Sequence, residues 1–204
     1  YAGWKNPTTA DGQFFDTVIP GYLEPEMFPL GKGDGDYYLF IGRLIERKGY
    51  AIAQEVCKAL GKELILAGPG EASGYGKFIG SVGPEKRAEL MGGAIATFAP
   101  TLYIEPFGNV VIEAQACGTP TITTDWGAFT ETNINGVTGY RCRTLQEFID
   151  AAENVKSLDR QAIRDRAVSL YSVDVIAKRY EDYFTSLLTL WDQGWYQRKE
   201  KVGR

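Results

Sequence analysis

Short apolar segments bounded by glycine and proline alternate with amphipathic stretches of helical length, and this alternation restricts the fold more than any other feature. Strands are expected over Tyr37–Gly42, Glu63–Ala67, Phe78–Val82, Ala94–Ala99, Thr119–Thr124 and Thr138–Cys142. Helices are expected over Lys48–Leu60, Pro84–Met91, Asn109–Ala116, Thr144–Val155, Asp159–Leu170 and Ser172–Trp195. In the last, Val173, Ile176, Ala177, Tyr180, Phe184, Leu187, Leu188 and Trp191 recur at helical spacing and form one apolar stripe. Parallel strands need a crossover between them, so the pattern predicts an α/β fold with a doubly wound, mostly parallel sheet. Before it, the proline- and glycine-rich residues 1–36 read as a lead-in with one short strand, Thr17–Pro20, and a flexible stretch, Gly31–Asp36. Ligands of such a fold bind beyond the carboxyl ends of the strands, where loops meet helix N-termini.

Composition removes several chemistries. With 22 basic against 26 acidic residues the net charge is -4, which argues against a nucleic-acid partner. The chain has no histidine, so it supplies no imidazole base, Ser–His or Cys–His dyad, or histidine metal site. Cys57, Cys117 and Cys142 are widely spaced and odd in number, which suits buried free thiols in a reducing compartment. No apolar run approaches the roughly 20 residues of a membrane span. The first residue, Tyr1, is not methionine, and a trimmed or expressed fragment of a longer protein is the expectation.

Two strand ends carry charged chemistry. Gly42-Arg43-Leu44-Ile45-Glu46-Arg47-Lys48-Gly49 places Arg43, a planar fork of donors, and Lys48, a compact cation, after the first strand. The competing reading is a solvated basic turn with Glu46 as partner. Downstream, Glu105-Pro-Phe107-Gly108-Asn109-Val110-Val111-Ile112-Glu113 opens a helix. Gly108 admits a close ligand approach, Asn109 suits the N-cap, and the amides of Asn109, Val110 and Val111 offer an anion site. Glu105 and Glu113 are carboxylates able to grip vicinal diols. Their competing reading is an exposed residue and a favourable helix-dipole partner. Together, two cations, an amide cluster and two carboxylates are the groups that a diphosphate between two polyols requires. All four charged tips are expected to share one hollow.

The order Gly42-Arg43…Lys48-Gly49, Glu105-x7-Glu113 followed by Ala-x-Ala-Cys-Gly-Thr-Pro120, then Gly127…Glu131…Asn135-Gly136-x-x-Gly139 resembles the retaining glycosyltransferases of family four, also called glycosyl transferases group 1. The resemblance implies the C-terminal, donor-binding half of a GT-B fold, from about Val18 to the last helix. It implies residues 1–36 as interdomain linker and lead-in, 37–170 as a nucleotide-sugar-binding Rossmann-like domain, and 171–204 as crossing helix and tail. Arg43 and Lys48 match the pair that contacts the diphosphate, Glu113 the ribose carboxylate, and Glu105 the carboxylate facing the transferred sugar. Gly42 and the amides from Phe107 through Gly108 and Asn109 to Val110 match those near sugar and phosphates. Ile79–Gly83, with Val82 and Gly83, falls where the base-contacting loop lies. Ile19-Pro20-Gly21-Tyr22 departs from the family's Ile-Pro-Asn-Gly linker. Trp126 and Phe129 stand where smaller residues are usual, which places them near the sugar pocket.

The resemblance further implies a metal-independent, retaining hexosyl transfer with no cofactor, the donor being a UDP-, GDP- or ADP-sugar. A glycan or lipid acceptor would enter through an N-terminal domain that this chain lacks. A cytoplasmic location is expected, with peripheral membrane association of the full enzyme. Alternative readings are a non-catalytic nucleotide-sugar-binding or interaction module, a glycoside hydrolase, and a nicotinamide enzyme. Gly68-Pro-Gly-Glu-Ala-Ser73 lacks the third glycine that the last of these needs. Phe14, Phe15, Tyr37 and Tyr38 read as core and linker packing, and Trp191, Trp195 and Tyr196 as helix packing.

Overall fold

A computed structural model describes residues 17–193. A parallel six-stranded sheet has the order β3-β2-β1-β4-β5-β6, with β1 Tyr37–Ile41, β2 Glu63–Ala67, β3 Lys77–Phe78, β4 Thr97–Ala99, β5 Thr121–Thr124 and β6 Gly139–Cys142. This is the doubly wound Rossmann order, whose direction reverses between β1 and β4. In β1, Tyr38 and Phe40 enter the core layer under α1 (Tyr50–Leu60) and α5 (Leu145–Asn154). Leu39 and Ile41 enter the opposite layer, under α2 (Pro84–Gly93), α3 (Asn109–Ala116) and α6 (Arg160–Tyr171). Burial on both faces explains why this strand reads as a continuous apolar run. Two of the helices start on side-chain caps, a Thr144–Glu147 capping box for α5 and Asp159 for α6.

Several expectations need correction. Thr17–Pro20 forms no strand, and Val18 is 85% exposed. Sheet-like contact begins instead at Leu23, bridged to Ser172. The stretch Gly31–Asp36 is tied down rather than flexible: the amides of Gly31, Gly33 and Gly35 donate to the carbonyls of Cys117, Gly92 and Gly93. Arg160 extends this strap, donating to the Gly31, Gly92 and Ala94 carbonyls and to Thr119 Oγ1, while Arg164 reaches the carbonyls of Phe28 and Ala116. The third strand is only Lys77–Phe78, pairing with Ile65 and Leu66 at the sheet edge. A four-residue helix, α4 (Phe129–Thr132), is too short to show periodicity in sequence.

The long helix α7, Val173–Gln193, buries Ile176 but leaves Tyr180 and Phe184 exposed. Trp195, like Phe14, Phe15 and Tyr196, lies outside the described residues. Tyr37 and Tyr38 are packing residues as expected, their hydroxyls donating to the Leu90 and Ala152 carbonyls. All three cysteines are buried free thiols, pushed up to about 12 by burial. No described helix is long and apolar enough to cross a membrane.

Candidate functional site

Two glycines bring distant charges together at the carboxyl edge of the sheet. After β1 the chain makes a tight turn over Glu46–Lys48 and enters α1 through Gly49, at φ 73°. A Cβ there would sit 1.9 Å from the Pro100 carbonyl oxygen, so only glycine lets the turn pack against the loop leaving β4. The second is Gly108, at φ 80°, which caps α3 in place of the expected Asn109. Asn109 is the first helical residue. No side chain caps this helix, and the Val111 amide is taken by the Gly108 carbonyl. Among the described residues, the amides of Asn109 and Val110 are left for a ligand.

The four charged residues form two groups rather than a single cluster. Arg43 and Glu113 line one cavity of about 350 Å³ with Gly42, Gly68, Pro69, Ser81, Val82, Asn109 and Val110. That volume lies within the usual range for a small-molecule pocket. It sits beside the ends of β1 and β2 and the start of α3, next to the β1/β4 reversal. A larger hollow, about 700 Å³, lies at the opposite sheet end beside Tyr37 and Leu30. Ligands of parallel sheets sit at the carboxyl ends, so the smaller cavity is the candidate.

Lys48 and Glu105 pair directly instead of lining that cavity. Lys48 Nζ donates to Glu105 Oε2 at 2.6 Å, the Tyr103 hydroxyl donates to the same oxygen at 2.8 Å, and Lys48 lies 5.0 Å from the Tyr103 ring centre. Burial by itself would lower the Lys48 pKa, but bonding to Glu105 and Tyr103 raises it above the ordinary lysine value. The pair adjoins the cavity through Gly108, whose Cβ position is 3.4 Å from Glu105 Cγ, and through Asn109 beside it.

The remaining expected residues divide the same way. Val82 lines the cavity, whereas Gly83 is the exposed N-cap of α2. The Phe107 ring turns away to pack edge-on against Tyr171, 5.7 Å between centres, and against Gly21 of the lead-in. Trp126 and Phe129 are not placed at the cavity. The Trp126 indole donates to the Thr101 and Tyr103 carbonyls, and Phe129 is 1% exposed in the core against Gly108. Sequence reading missed Tyr103 and Arg87. Arg87 Nη2 stands 3.4 Å from Glu113 Oε1 and lines the same cavity. Its only signal was an arginine one turn into the helix that follows the Ile79–Gly83 loop. Burial pushes the Glu113 carboxyl above the usual carboxylate range, partly offset by Arg87.

Fold and site together define a Rossmann-type α/β unit whose cavity sets arginines against a carboxylate beside a helix start without a side-chain cap. The chain belongs to the glycosyl transferases group 1 family, whose model matches residues 24–167. It is 34% identical over 112 residues to a probable sucrose-phosphate synthase of Thermosipho melanesiensis, covering 52% of this chain and 26% of that protein. It is 29% identical over 162 residues to a phosphatidyl-myo-inositol mannosyltransferase of Mycobacterium leprae, covering 72% of this chain and 40% of the relative. The crystal structure of AviGT4, a glycosyltransferase involved in avilamycin A biosynthesis, superposes with a TM-score of 0.75 at 27% identity, over 88% of this chain and 59% of that one. The chain therefore spans less than two thirds of each of these proteins. Its sheet is the Rossmann-like half of a GT-B glycosyltransferase fold.

Proposed function

We propose that this chain is the donor-binding domain of a retaining hexosyltransferase that uses a nucleotide diphosphate sugar. The observation that carries the reading is the placement of Arg43 and Glu113 on the walls of one cavity at the switch point of the sheet. Arg43 and the Asn109 and Val110 amides suit a diphosphate, and Glu113 suits the hydroxyls of a ribose. Glu105 suits the hydroxyls of the transferred sugar. The four-membered convergence expected from sequence divides into two adjoining pairs, Arg43 with Glu113 on the cavity wall and Lys48 with Glu105 beside it, and in this reading Lys48 meets the phosphates from that neighbouring pair.

In this reading, the bond from the anomeric carbon to the diphosphate breaks and negative charge grows on the leaving phosphate. Arg43, Lys48 and the α3 amides meet that charge without a divalent ion. Lys48, tied to Glu105 and over the Tyr103 ring, and the amides at the α3 start are fixed before the reaction, so little reorganisation opposes them. Loss of one such donor removes roughly 3 kcal/mol of transition-state stabilisation. In the full enzyme, Arg43→Ala and Lys48→Ala should each lower turnover more than about tenfold, and a metal chelator should leave turnover unchanged. Near-normal turnover in both variants would refute the phosphate role. Calorimetric titration of the chain with UDP, GDP and ADP tests donor binding and base preference, and no binding at millimolar concentration would count against the reading.

A further inference from the structure

Arg87 enters the cavity of Arg43 and Glu113 from a helix without any recognisable motif. It lies near the start of α2, where its amide donates to the Gly83 carbonyl at 2.9 Å. Its guanidinium is held on two sides. Glu113 Oε1 is 3.4 Å from Nη2, and the Phe28 ring centre is 5.7 Å from the guanidinium carbon. Phe28 is 4% exposed, so its ring is packed in place, and its backbone carbonyl accepts from Arg164. The Glu113 side chain is only 13% exposed. Arg87 Nε is buried and has no hydrogen-bond partner among the described residues.

A carboxylate in this wall offers both oxygens as acceptors to a vicinal diol while it is ionised; protonated, one of them becomes a donor. Burial opposes that ionisation, and Arg87 is the group that counters it. A planar guanidinium can stack on a ring and face a carboxylate at the same time, which a lysine ammonium cannot do as well. We propose that Arg87 is a positioning residue: clamped between Phe28 and Glu113, it holds the Glu113 carboxylate charged and turned toward a vicinal diol of the ligand. The inference rests on the cavity being a nucleotide site. The charged and titratable groups facing Glu113 are Arg87 from α2, Arg43 across the cavity from the end of β1, and Cys117 at the end of its own helix. The Cys117 thiol, pushed up to about 12, is neutral throughout the range of the test. Gly68, Pro69, Ser81 and Val82 bring no titratable side chain.

The test compares UDP, GDP and ADP with their 2′-deoxy counterparts by calorimetry, between about pH 5 and 8. The unaltered chain should prefer the ribonucleotide by about tenfold, a difference of one hydrogen-bonded contact to a charged group. Arg87→Leu keeps helix propensity and should shrink the preference below about threefold. It should also shift the acid-side loss of affinity to higher pH, because the carboxyl then protonates more readily. Arg87→Lys should restore part of both effects. Should the leucine variant not fold, Arg87→Gln, uncharged but polar, carries the same comparison. An Arg87→Leu protein with undiminished ribose preference and an unmoved pH profile, alongside a Glu113→Gln protein that has lost the preference, overturns the clamp and leaves the nucleotide reading standing. Failure of the unaltered chain to bind any of the three ribonucleotides overturns both.

Discussion

Glu113 shows how one residue can serve a site at the expense of the fold. Burial raises its pKa in the folded protein, so folding favours the protonated form. A carboxyl whose folded pKa is raised supports stability below its unfolded value, near pH 4, and loses that support as pH rises through the folded value. Glu113→Gln should therefore raise the melting temperature at pH 7, and thermal scans should show the gain vanishing at about pH 4 and below. The same change should weaken nucleotide binding, a trade of function for stability. Gly49 makes the opposite case. Its positive φ, and a Cβ position only 1.9 Å from the Pro100 carbonyl oxygen, leave no room for a methyl group. Gly49→Ala should destabilise by roughly 2–4 kcal/mol in urea titrations, by the combination of backbone strain and overpacking. The change would also separate Lys48 from Glu105.

Among the elements, those buried on both faces were the most legible in the sequence. The run Tyr37–Ile41 and the β-branched Thr121–Thr124 lie inside the sheet as read, because burial on both sides demands continuous small or apolar residues. Elements held by their neighbours rather than by pattern were not legible. The strap over Gly31–Gly35 looks like a flexible glycine run, yet Arg160, 129 residues away from Gly31, fixes it through carbonyl acceptors. Arg160→Met preserves much of the apolar stem but strands the Gly31 and Ala94 carbonyls. That should cost roughly 2–3 kcal/mol in chemical denaturation, and hydrogen exchange should increase over the Gly31–Gly35 amides. The helix α4 escaped notice for another reason: four residues make barely one turn, too few for a repeat.

For the whole molecule, the proposed donor role has a direct consequence. The cavity at the β1/β4 reversal is lined by this chain's own Arg43, Glu113 and α3 start. On that reading the chain should bind a nucleoside diphosphate with modest affinity. Calorimetric titration with a nucleoside diphosphate checks that affinity. The local sequence alone determined the alternation of strand and helix, the Rossmann class, and the presence of arginine, lysine and carboxylates at strand ends. Those properties depend on spacing within a few residues, and short-range periodicity records them. Which charges meet was decided only in three dimensions. Lys48 reaches Glu105 across 57 residues, and Glu113 finds Arg87 on a different helix. Strand order and the closeness of loops at the β1/β4 reversal set those encounters, and neither is a local property of the chain.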